Sequence, residues 1–333
     1  MKLAPAVLFA SLAAGAVHAQ EVNLYTSREP GLVEPLLAAF TESTGVKVNT
    51  VFLKDGLAER VAAEGESSPA DLLMAVDMGN LADLVDKGLT QPVDSQVLGD
   101  AIPENLRDPG NQWFALSMRA RVIYAASDLD LDAITYEDLA DPDWKGRICI
   151  RSGQHPYNTA LFSAYLAHHD AAATEAWLTG LKANLARKAG GGDRDGAKDI
   201  LGGICDIAVA NSYYVGLMRS GDDAEQRAWG DAIKVILPTF EDGGTHVNIS
   251  GAAVAKHAPN RDQAVQLLEY LVSDEAQKIY AEANYEYPVK PGAALDPIVE
   301  SFGELKVDPV PLTEIVTNRQ EASQLVDRVG FDN

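Results

Sequence analysis

The sequence predicts an α/β fold in two similar halves, and three observations lead there. Short β-type runs alternate with amphipathic helical stretches, the pattern of parallel sheets covered by helices. The rhythm repeats in both halves without a low-complexity segment, short-period repeat or flexible linker between them. Two β-type stretches, Leu116 to Tyr124 and Leu237 to Ile249, are then where the chain crosses from one half to the other.

The amino end comes first. Lys2 precedes an apolar core from Leu3 to Val17, and Val17-His18-Ala19 fits a small-residue cleavage site before Gln20. Residues 1–19 therefore read as a secretory signal peptide, too short to span a membrane, and the mature chain is expected to be exported and soluble. Val22 to Tyr25 is a predicted strand. Pro30-Gly31 opens a helix with Leu32, Leu36, Leu37 and Phe40 on one face. Strands are predicted at Val46 to Phe52 and Leu72 to Val76. Helices are predicted at Leu57 to Ala63 and Met78 to Lys87, the latter closed by Gly88.

Trp113 to Ala125 is a long β-type run that places Arg119 and Arg121 on one face. Further strands are predicted at Ile148 to Arg151, Cys205 to Ala210, Lys234 to Phe240 and Val247 to Ala255. Helices fill Thr159 to His168, Ala172 to Ala183, Arg194 to Leu201, Arg261 to Leu271 and Glu275 to Ala283, and most of Pro309 to Arg328. Gly190-Gly191-Gly192 lacks the lysine and serine of a phosphate loop and reads as an ordinary loop.

A formal net charge of −22 excludes nucleic acid as a partner, since little here could neutralise phosphates. There is no Gly-x-Ser-x-Gly elbow, His-Glu-x-x-His or reactive-thiol motif to indicate an enzyme. Cys149 and Cys205 are an even pair in an exported chain and invite a disulfide, two buried thiols being the alternative. Each precedes a tyrosine by eight residues, Tyr157 and Tyr213. Parallel neighbouring strands in that register would set both cysteines at one height and both tyrosines at one edge.

Asn211-Ser212-Tyr213-Tyr214 carries the strongest chemical signal. Two phenols follow the buried run Ile207 to Ala210. A strand-end tyrosine commonly packs its ring and wets its hydroxyl. Phenolate is also a hard anionic donor suited to iron(III), which must displace a proton that ordinarily leaves near pH ~10.

Several fragments in order give a family resemblance. They are Leu24-Tyr25-Thr26-Ser27-Arg28, Arg119-Ala120-Arg121-Val122, Asn211-Ser212-Tyr213-Tyr214, His246-Val247-Asn248-Ile249-Ser250-Gly251 and Asn284-Tyr285-Glu286-Tyr287-Pro288-Val289. Over essentially its mature length the chain resembles the ferric-iron-binding periplasmic proteins of bacterial iron ABC transporters. The resemblance implies the type II periplasmic-binding-protein fold, two doubly wound α/β domains joined by two hinge strands with the cleft between them. Residues 20–118 and 240–292 would form the amino-terminal domain, and 119–239 and 293–333 the carboxy-terminal one.

By the same resemblance, Tyr213 and Tyr214 match the family's adjacent tyrosine ligands, and Tyr157 matches a third that follows an arginine-serine strand end. Glu29 and Pro30 stand where some members carry a histidine or histidine-tyrosine, and Glu29 is the candidate replacement. Arg28 resembles an arginine that holds a synergistic anion such as carbonate, with Arg119 and Arg121 behind it and Asn211 and His155 around the site. The structural alternatives are ion pairs of Arg28 with Glu29 or Glu34, and packing roles for Tyr25, Tyr285, Tyr287 and His246. The implied activity is capture of Fe3+ in the periplasm by a monomer and delivery to an inner-membrane ABC permease. The rival reading keeps the fold but binds a small organic solute such as a polyamine, thiamine or a phosphonate.

Overall fold

A computed structural model describes residues 20–333, so the expected signal segment lies outside the described residues. The strands are β1 (Glu21–Thr26), β2 (Lys47–Phe52), β3 (Leu72–Ala75), β4 (Thr90–Gln91) and β5 (Phe114–Ala126). They continue as β6 (Ile148–Cys149), β7 (Ile207–Asn211), β8 (Ile233–Ile236), β9 (Val247–Ala255) and β10 (Tyr287–Pro288).

The first seven helices are α1 (Pro30–Thr44), α2 (Leu57–Glu64), α3 (Met78–Asp86), α4 (Gln96–Ala101), α5 (Pro156–His168), α6 (Ala171–Ala183) and α7 (Asp193–Leu201). The others are α8 (Tyr213–Ser220), α9 (Ala224–Asp231), α10 (Arg261–Tyr270), α11 (Asp274–Asn284), α12 (Pro297–Glu300), α13 (Leu312–Thr317) and α14 (Arg319–Arg328). Among the described residues no helix is long and apolar enough to cross a membrane.

The strands run in the order β2-β1-β3-β9-β5-β7-β6, with β4 added to β9 and β8 and β10 added to β5. β1, β2 and β3 are mutually parallel, as are β6 and β7. β5 serves two sheets. Phe114–Ala120 pairs antiparallel with β9, and Arg121–Ala125 pairs antiparallel with β7. Arg119 and Arg121 alternate as predicted, yet the change of sheet between them gives each to a different lobe.

Local chemistry sets the elements that frame the cleft. Pro30 is the first residue of α1, where a missing N–H costs nothing. Val33, Leu36, Leu37 and Phe40 bury one face, and the helix ends at Gly45 with φ +74°, a left-handed cap that glycine adopts freely. This fixes Ser27 to Glu29 as a short turn between β1 and α1 at the carboxyl edge of the sheet. Pro156 plays the same part in α5, which starts three residues earlier than the apolar pattern alone indicates.

Two sequence expectations need correction. The strand expected over Lys234 to Phe240 stops at Ile236, because Pro238 has no N–H to offer a ladder. The second crossing therefore runs through single bridges at Thr239 and Thr245, with a turn at 241–243 between them, before β9 begins. β6 and β7 are parallel neighbours, but Cys149 lies opposite Ala208 rather than Cys205. Cys205 sits in the turn before β7 and still joins Cys149, with Cα atoms 5.9 Å apart. The matched eight-residue spacing therefore does not report strand register. Tyr157 and Tyr213 stand in the first turns of α5 and α8, not at strand ends.

Candidate functional site

The turns that follow β1, β2, β3, β6 and β7 converge on a cavity of about 560 Å³. This is where an open α/β sheet places its ligands. One wall carries Ser27, Arg28, Glu29, Val76 and Asp77, and the other His155, Tyr157, Arg194, Tyr213 and Tyr214.

Tyr213 and Tyr214 are the first two residues of α8, with ring centroids 4.0 Å apart and planes inclined by 32°. Burial pushes the Tyr213 phenol well above its usual range, and the nearby Tyr157 and Tyr214 push it further. Burial also raises Tyr214, helped by Tyr157 and Asp193 and opposed by Arg151. In the metal-free molecule these are neutral phenols close to one another. A multivalent cation would reverse that balance by supplying the missing positive charge. The positive ends of the α5 and α8 backbone dipoles favour the resulting phenolates.

Tyr157 is the second residue of α5. Its backbone N–H donates to His155 Nδ1 at 3.2 Å, and the His155 ring meets its ring edge-on at 4.6 Å. The Arg151 guanidinium lies 5.2 Å from the Tyr157 ring centroid and that of Arg119 5.9 Å. Burial, with Arg151 nearby, depresses His155 to about 4, so it is a neutral cap at ordinary pH.

Arg28 pairs with neither Glu29 nor Glu34. Its Nη1 lies 2.9 Å from Glu286 Oε1 and donates to Ser250 Oγ at 2.6 Å. Arg119 donates to the same Ser250 hydroxyl at 2.7 Å and to the Val76 and Ile249 carbonyls. Ser117 also donates to Glu286. Two buried guanidiniums thus share one carboxylate, which leaves net positive charge at the cavity floor, and the Nε of each has no partner. Glu29 is exposed at the rim, at the N-cap of α1 but making no cap bond.

Arg121 and Asn211 do not line the cavity. Arg121 pairs with Asp193 at 2.7 Å and donates to Asn158 at 2.6 Å and Asn211 Oδ1 at 3.1 Å. The Asn211 N–H donates to Asp193 Oδ2 at 2.8 Å. Together they bolt the end of β7 to the starts of α5 and α7, and so set the positions of the tyrosines from behind.

Other singled-out residues take packing roles. Tyr25 donates to Glu64 at 3.1 Å, Tyr285 donates to Ser220 at 2.7 Å, and Tyr287 and His246 are buried.

Sequence reasoning missed Arg194. It is the second residue of α7, its Nε is buried without a partner, and its guanidinium lies 5.1 Å from the Tyr214 ring centroid. The glycine run just before it was the available signal. Among the described residues no cluster of three His, Cys, Asp or Glu side chains could hold a metal ion.

Two α/β lobes sharing a crossover strand, with a polar cavity at their strand ends, define a two-lobed solute-binding protein. The chain belongs to the bacterial extracellular solute-binding protein family, whose profile matches residues 67–301. It is 41% identical over 315 residues to "Iron uptake protein A1" of Synechocystis sp., covering 94% of this chain and 88% of that protein. Among solved structures it is similar to "Bordetella ferric binding protein", with TM-score 0.92, 64% identity, and 94% and 100% of the two chains covered. It is also similar to a Trichodesmium protein (IdiA, FutA) "in complex with iron and citrate ligands", with TM-score 0.89, 41% identity and coverage of 93% and 99%. The fold is thus the two-domain periplasmic-binding-protein fold.

Proposed function

We propose that this chain captures iron(III) in its cleft and delivers it to an ABC permease in the inner membrane, without catalysing a reaction. The observation that carries the reading is the convergence of Tyr157, Tyr213 and Tyr214 on one cavity from two helix N-termini. Three phenolates balance the charge of iron(III). The names of the relatives, ferric binding protein and iron uptake protein, support the same cargo.

The coordination positions left over fall to an anion such as carbonate, to water or to Glu29. The anion is drawn by the excess positive charge of Arg28 and Arg119 over Glu286, and by Arg194 opposite them. The protein works as a monomer in the periplasm. The lobe built on β1–β4, β9, β10 and the first half of β5 moves as one domain against the lobe built on β6–β8 and the second half of β5, closing like a hinge.

A thermal-shift panel tests the cargo, because a ligand that binds only the folded state raises its melting temperature. Iron(III) citrate is expected to stabilise the protein strongly, and a polyamine, thiamine and a phosphonate are expected to leave it unmoved. Stabilisation by one of the organic solutes alone would reverse the assignment.

A further inference from the structure

Asp77 and Arg319 reach each other from opposite lobes. Asp77 follows β3 and caps α3, accepting the Gly79 N–H at 2.8 Å. Arg319 opens α14, which packs on α5 and α6 over the second sheet. Gln154, at the start of α5, also bonds Ser323 and Asp327 of α14 and ties that helix firmly to its lobe. At the end of the cleft Arg319 Nη1 donates to Asp77 Oδ1 at 2.8 Å, while Asp77 Oδ2 accepts from Asn248 Nδ2 on β9 at 2.7 Å.

Gly79 makes the seat for this pair. A Cβ at that position would stand 1.0 Å from Arg319 Nη1. Gly79 lies in the first turn of α3, where its helical backbone lies outside the left-handed region and makes no demand for glycine. Space for the guanidinium is the physical reason for glycine here. The pair also divides two open spaces that Arg319 lines together, the cleft cavity and a groove of about 570 Å³ between α3 and α13–α14.

We propose that Arg319 and Asp77, seated by Gly79, form a latch between the lobes that biases the metal-free protein toward a closed cleft and slows release of the cargo. The latch rests on the hinge-closing reading given above, and its own test needs no iron. Asp77 keeps its bonds to Gly79 and Asn248 when the latch breaks, and because it lines the cleft, water takes the guanidinium's place as the lobes part. Arg319 is 25% exposed, which keeps the contact weak enough to be reversible.

Gly79→Ala evicts the guanidinium while keeping both charges. Arg319→Met removes the charge at similar length, and serves should the first variant fold poorly. Small-angle scattering of the metal-free protein should show a larger radius of gyration for both variants than for wild type. Transfer of iron to an excess of chelator should be about 2- to 5-fold faster, the scale of a partly exposed ion pair. Unchanged scattering in both variants overturns the latch, whatever the iron result. If both variants open the protein but wild type takes up no iron, the latch stands and the cargo assignment falls.

Discussion

The two walls of the cleft are built on opposite principles. On the first, Arg28 is held by Glu286 and Ser250, Arg119 by Ser250 and two carbonyls, and Asp77 by Arg319 and Asn248. On the second, Tyr213 and Tyr214 lean on each other. Behind them, Tyr124 and Tyr136 are tied to fixed acceptors, the Asn211 and Arg121 carbonyls, both at 2.6 Å. On the proposed reading the metal donors lie on the second wall, while the first is a locked charge cluster that shapes the field at the cavity floor. A cargo ion would bind the second lobe first and meet the other on closing.

Three changes would break or sharpen this contrast. The largest effect is expected at the locked wall. Glu286→Gln leaves two buried guanidiniums without a counter-charge, and should cost about 3–5 kcal/mol of folding stability by urea denaturation. A loss below about 1 kcal/mol would show that this wall is not locked.

The next effect is pH dependence, and it belongs to the second wall. Tyr213 and Tyr214 have raised pKa values in the metal-free fold, so the proton-bound form is favoured there and iron must displace it. Affinity then falls as pH falls. At fixed free iron(III), going from pH 7 to pH 6 should weaken binding about 1000-fold for three displaced phenol protons. Tyr213→Phe should reduce that step to about 100-fold, and a pH-independent affinity would rule out phenolate ligation. The smallest effect is expected at the rim, where Glu29→Gln should change iron affinity by less than about threefold, the scale for an exposed charge. A hundredfold loss there would make Glu29 a ligand and the two walls equal partners.

Much of this architecture was legible in the chain. Periodicity located the strands well, and Val247 to Ala255 was read to the residue. Asn211-Ser212-Tyr213-Tyr214 pointed to the site before any geometry was known. What local pattern could not supply was pairing at a distance. Glu286 meets Arg28 across 258 residues of sequence, and neither neighbourhood announces the other. Strand register is set by the whole sheet, so equal spacing from cysteine to tyrosine misled about Cys149 and Cys205. Arg121 was grouped with Arg119 because alternation puts both on one face, and only the switch of β5 between sheets separates their roles. The eight-residue helix α8 was missed because two tyrosines after a strand resemble a loop when read by propensity alone.

The central claim is that phenolates on the second wall hold iron(III), and visible absorption tests it most directly. The mature protein is titrated with iron(III) citrate, with and without bicarbonate, beside Tyr213→Phe and Tyr214→Phe. A broad phenolate-to-iron band should grow to saturation at one equivalent and bleach in both variants, and a bicarbonate requirement would add the anion beside Arg28, Arg119 and Arg194. A protein that binds one iron without the band, or keeps an undiminished band in both variants, would contradict the account.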